Sequence, residues 1–209
     1  MNLENQKPKS CSAKKLTTDK IVKVSILSAI SFIVMMIDFP LPIFPAFLKI
    51  DLSDIPALIG GFAMGPLVGV SIELIKNILH LFVSSTVGIG EMANFIVGAA
   101  FVYVSASIYK RNKTKKTAAI SLLSGTIVMS IVACIFNYFV LIPLYESALN
   151  IPIEATIAMA SKVTSLVVDL KTLIIYSILP FNILKGFVVS LVVFFIYKKV
   201  EPIIKQPKC

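Results

Sequence analysis

The chain has 209 residues, 57% of them apolar and only 15% charged, with a mean hydropathy of +0.91 and a formal net charge of +9. Soluble domains hold about 45–50% apolar and about 25% charged residues, so a water-soluble enzyme, a disordered tail and a disulfide-rich secreted domain are excluded in favour of a membrane protein. The lysines gather at the chain ends and one hinge rather than along one face, so no nucleic-acid partner is expected.

A helix that crosses a bilayer needs about 20 mostly apolar residues. In chain order the candidates are 21–37, 54–65, 66–83, 91–109, 117–143 and 173–197. The first run ends in Asp38-Phe39-Pro40 without a small-residue cleavage pattern, and so reads as a retained span. It offers a small face at Ser25, Ser28, Ala29 and Ser31. Ser25-xxx-Ala29 is spaced for close helix approach, which nominates Ser25 and Ala29 as a docking surface for a membrane partner. The 38–53 loop carries Pro40, Pro42 and Pro45, which forbid a continuous helix. The apolar stretch 54–83 is interrupted at Gly60-Gly61 and at Gly65-Pro66, both suitable places for a break.

Charge decides how often 54–83 crosses. Six lysines precede residue 24, five basic residues lie within 110–116 and four follow residue 197, together fifteen of the twenty. These segments share one side only if 54–83 crosses twice. The expected fold is therefore an all-α membrane protein with six transmembrane helices and both N- and C-termini cytoplasmic. Residues 1–20 would form a cytoplasmic N-terminal segment, 21–200 the membrane domain and 201–209 a cytoplasmic tail, in a multi-pass protein of the cell membrane. On the outer side, the 144–172 loop is long enough to be either a lid or disordered. Within it, 152–168 is expected to form a short surface helix, with Pro152 near its start and Glu154 in its first turn.

Polar residues inside spans need a reason to be there, since a Lys at mid-bilayer costs about 2.5–3.5 kcal/mol on insertion scales. The last span holds Asn182 and Lys185, three apart and therefore on one helical face. They fit a ligand cavity, the favoured reading; the alternative for Lys185 is a structural ion pair with Glu73 or Asp51. Asn137 in the fifth span presents donor and acceptor together, suited to a planar heterocycle or to interhelical bonding. Glu73, Lys76, Asn77 and His80 make one polar stripe on the third span, read as a structural network reaching the outer cavity. His80 is the sole histidine, and Cys11, Cys134 and Cys209 form no CxxC pair, so no metal site is expected. The sequence contains no GxxxxGK[ST], HExxH or GxSxG pattern, and no catalytic residues are assigned.

The run Phe47-Leu48-Lys49-Ile50-Asp51-Leu52-Ser53-Asp54-Ile55-Pro56-Ala57-Leu58-Ile59, with Gly65-Pro66, Glu73 to Asn77, Asn94 to Gly98 and Asn182-xx-Lys185, resembles the riboflavin-binding S components of energy-coupling factor (ECF) transporters. The resemblance covers about residues 20–200. It implies a six-helix substrate-binding subunit with its vitamin pocket near the outer face. It implies as partners riboflavin, a transmembrane ECF coupling protein and two cytoplasmic ATPase subunits, within the lipid bilayer. No bound cofactor is implied, riboflavin being the transported ligand. By matching motif positions, Asn137, Asn182 and Lys185 would hydrogen-bond the flavin, and the loop holding Phe47, Lys49 and Asp51 would cover it. Phe44, Phe47, Phe136, Tyr138 and Phe181 would supply apolar walls. The first helix, with Ser25 and Ala29, would meet the coupling protein. An S component for thiamine, pantothenate or a queuosine precursor, or a small membrane enzyme, remains the alternative. The 144–172 loop is longer than the family usually shows.

Overall fold

A computed structural model describes residues 13–204. The outer parts of the two expected cytoplasmic segments, 1–12 and 205–209, together with Cys11 and Cys209, lie outside the described residues. Helix α1 (Ala13–Met35) leads into a hairpin of two short strands, β1 (Phe39–Pro40) and β2 (Lys49–Ile50), paired antiparallel with Phe39 opposite Ile50. Helices α2 (Asp54–Met64) and α3 (Pro66–His80) follow, then α4 (Ile89–Arg111) and α5 (Lys115–Phe136). A π turn (Asn137–Leu141) joins α5 to α6 (Ile142–Leu149). Next come α7 (Ile153–Ser161) and α8 (Leu170–Leu173), a second π turn (Ile174–Ile178) and α9 (Leu179–Ile204). The strand pair was not anticipated, because two residues per strand leave no alternating pattern to read.

Among the described residues, four helical stretches are long and apolar enough to cross a membrane: Pro66–Val83, Ile89–Arg111, Lys115–Leu149 and Leu170–Val200. Helix α2, expected as a full span over 54–65, has 11 residues. At 1.5 Å per residue it is about 16 Å long, roughly half a hydrocarbon core. The chain breaks at Gly65, where φ of 111° suits glycine and Pro66 opens α3 at its first position. Gly60-Gly61 does not break; it lies buried inside α2.

The two π turns have a common sequence cause. Pro143 and Pro180 each stand two residues after one. A proline inside a helix lacks the N–H for the i−4 carbonyl, and its ring clashes with that carbonyl; one residue of slack in the preceding turn accommodates both. The fifth apolar stretch therefore continues to Leu149 rather than ending at 143.

Lipid removes the aqueous driving force between helices, so the bundle is held by close packing. Leu58, Ile72, Phe101, Val102, Met129, Val189 and Val193 form its fully buried centre. At the end bearing the basic segments, Phe62 stacks on Tyr109 at 4.3 Å between ring centroids, and Tyr197 meets both edge-on at 5.7 and 5.6 Å. At the opposite end, a second buried group of Ile142, Ala160, Val167, Leu173, Ile174 and Ile178 packs against Phe47, Leu48 and Tyr138. There α7 and the 38–53 loop cover the ends of α5 and α9.

Candidate functional site

The site is built where the 38–53 loop runs into α2. Asp51 lies two residues before the loop's end and Asp54 opens the helix, so both carboxylates reach the bundle interior beside α3 and α9. Lys185 Nζ of α9 stands 2.8 Å from Asp51 Oδ2 and 3.6 Å from Asp54 Oδ2. Lys76 Nζ of α3 lies 2.6 Å from Asp54 Oδ1 and 2.8 Å from Glu73 Oε2, and donates to Ser53 Oγ at 2.7 Å. Ser53 Oγ donates to Asp51 Oδ1, and Ser31 Oγ of α1 donates to the Ser53 carbonyl. Three carboxyls and two ammonium groups thus join α1, α2, α3 and α9 in one buried network.

Of the two structural partners considered for Lys185, it is Asp51 that pairs with it, while Glu73 is taken by Lys76. Gly98 of α4 makes room for Glu73: a Cβ there would lie 2.6 Å from Glu73 Oε2. Asn182 is buried one turn from Lys185, and its Nδ2 donates to the Ile178 carbonyl at 2.8 Å. Asn137 opens the first π turn and donates from Nδ2 to the Ala133 carbonyl at 2.7 Å. Phe44 of the loop meets Phe181 of α9 edge-on at 5.4 Å, and Phe47 packs on the same buried group as Tyr138. Phe136 departs from this set, packing instead with Ile89, Ala93 and Leu141 toward α4. Lys49 also departs: it is exposed on the hairpin and paired with Asp38 at 3.0 Å. Above Phe44, Pro40, Leu41, Pro42, Ala46, Met159, Lys162 and Val163 line a cleft of about 480 Å³ between the loop and α7.

On α1, Ser25 and Ala29 are exposed, as a docking face requires, whereas Ser28 and Ser31 are buried. The small face is therefore split, with Ser31 bonded inward. The polar stripe on α3 divides as well: His80 Nδ1 lies 2.8 Å from Glu91 Oε1 on α4, away from Lys76's partners. Residue-by-residue reading missed Asp54 and Ser53 as members of the network. The available signal was the excess of in-span ammonium groups, Lys76 and Lys185, over the single in-span carboxylate assigned to them.

The profile of the family described as ECF transporter, substrate-specific component, matches residues 19–197. This chain belongs to that family. It is a multi-pass membrane protein and a substrate-specific (S) component. It is 39% identical to the riboflavin transporter FmnP of Bacillus subtilis strain 168 over 192 residues, covering 90% of this chain and 95% of the relative. It is 37% identical over 187 residues to the riboflavin transporter RibU of Staphylococcus aureus strain TCH60, covering 90% and 93%. A solved structure described as the S component of a bacterial ECF transporter aligns with a TM-score of 0.71 at 35% identity, covering 91% of this chain and 99% of that one.

Proposed function

We propose that this S component is the riboflavin-binding subunit of an ECF-type importer, capturing the vitamin outside the cell with high affinity. It works with a transmembrane coupling protein and two cytoplasmic ATPases. The observation that carries the reading is the near full-length similarity to riboflavin transporters, 39% and 37% identical. The ligand's chemistry fits the site's residues. Isoalloxazine is a flat apolar plate with one edge of alternating carbonyl and N–H groups. Phe44, Phe47, Tyr138 and Phe181 offer apolar surface, and Asn137, Asn182 and Lys185 offer polar groups that fix orientation. Both amides now donate to carbonyls of their own helix, contacts that a bound pyrimidine edge replaces without leaving a buried donor unsatisfied. Asp51 ties the covering loop to Lys185, so the ligand and the loop meet at one ammonium group.

The topology proposed is six crossings with both ends cytoplasmic, the short α2 and the loop before it together serving as one of them. Six crossings put all three basic segments on one side. Ser25 and Ala29 face outward from α1 and are proposed to meet the coupling protein.

The experiment is purification from cells given no added ligand, an absorption spectrum, and titration with riboflavin beside thiamine and pantothenate. A yellow, fluorescent protein that binds riboflavin and neither competitor is the expected result. A colourless protein that binds thiamine or pantothenate instead overturns it.

A further inference from the structure

On the lipid-facing side of the bundle, away from the polar network, α5 and α9 leave a furrow. Ala119, Leu123 and Thr126 line one wall, and Ile183, Phe187 and Phe194 the other, around about 280 Å³. Its floor is closed by Thr126 Oγ1 and Ser190 Oγ, 3.2 Å apart. Its rim is bare hydrocarbon, with Leu123 62% and Phe187 58% exposed. The helices run antiparallel, so the start of α5 and the end of α9 meet at the same mouth. The next turn of each helix beyond that mouth is basic. Lys115 and Lys116 precede Ala119 by four and three residues, and Lys198 follows Phe194 by four, which places all three on the furrow's own stripe. All three are exposed.

We propose that this furrow binds one anionic phospholipid, an acyl chain lying between α5 and α9 and the phosphate held by Lys115, Lys116 and Lys198. The furrow's wall on α9, from Ile183 to Phe194, runs about 16 Å, about half the thickness of a hydrocarbon core, which suits one acyl chain of a single leaflet. Charge complementarity selects the headgroup: basic side chains beside a membrane surface attract acidic lipids, and basic pockets between spanning helices hold their phosphates.

The test is native mass spectrometry of the full-length protein titrated with dioleoyl phosphatidylglycerol or dioleoyl phosphatidylcholine. The expected result is one retained phosphatidylglycerol, preferred over phosphatidylcholine by about tenfold or more. Lys115→Gln/Lys116→Gln/Lys198→Gln erases the preference, and Ala119→Phe, which blocks the furrow but leaves the charges, reduces retention of both lipids. Monodispersity and the thermal midpoint identify any variant that has failed to fold. Equal retention of the two lipids by the natural protein overturns the proposal, as does a preference that survives the triple substitution. So does a photo-crosslinker at Leu123 that captures a co-expressed coupling protein in place of lipid.

Discussion

Lys185 holds the buried network together and, in the proposed function, also meets the ligand. Two carboxylates, Asp51 and Asp54, are buried against it. Removing one partner of a buried ion pair costs about 3–5 kcal/mol, because the other charge is left without compensation. Lys185→Ala is therefore expected to lower the thermal midpoint in detergent sharply, so a loss of flavin affinity in that variant mixes two effects. Asn182→Ala separates them. Its amide leaves only an intrahelical contact, so the expected outcome by calorimetric titration is weakened riboflavin binding with a nearly unchanged midpoint. Unchanged affinity in Asn182→Ala removes that residue from the proposed site. A sequence can weigh Asp51 against Glu73 as partners for Lys185, but choosing between them requires knowing how α3 and α9 are rotated. Lys49 is turned out to Asp38 by its place on the hairpin, and Phe136 toward α4 by its place at the end of α5.

At the scale of elements, the breaks were easier to read than the continuations. Gly65-Pro66 is a break because a positive φ and a missing N–H act at the same point. Gly60-Gly61 carries only permissiveness, and packing overrides it. Gly65→Ala is expected to destabilise the protein by more than about 1 kcal/mol, since alanine does not adopt φ near 111° without strain. A midpoint equal to that of the natural protein in differential scanning calorimetry contradicts this. Pro143 reads as a stop signal, yet the chain runs through it to Leu149 because the π turn before it takes up the clash. Nothing in the local pattern announces such a turn. The predicted 152–168 helix is shorter, Ile153–Ser161, with Pro152 just before it and Glu154 in its first turn, where a carboxylate complements the helix dipole.

For the molecule as a whole, the distribution of lysines is what leads to an even number of crossings. Hydropathy alone found the long helices but could not settle α2, whose 11 residues are too few to cross unaided. The proposed six-crossing arrangement predicts the behaviour of reporter fusions. A fluorescent protein active only in the cytoplasm should light up when joined after residue 112 or residue 204, and a phosphatase active only outside should work when joined after residue 150. Opposite signals at 112 and 204 overturn the even number of crossings between them.

The packed rings of Phe62, Tyr109 and Tyr197 close the bundle at its basic end with aromatic surface. In the proposed arrangement a vitamin held near Lys185 is separated from that end by those rings, so inward release asks for a rearrangement there and not for dissociation alone.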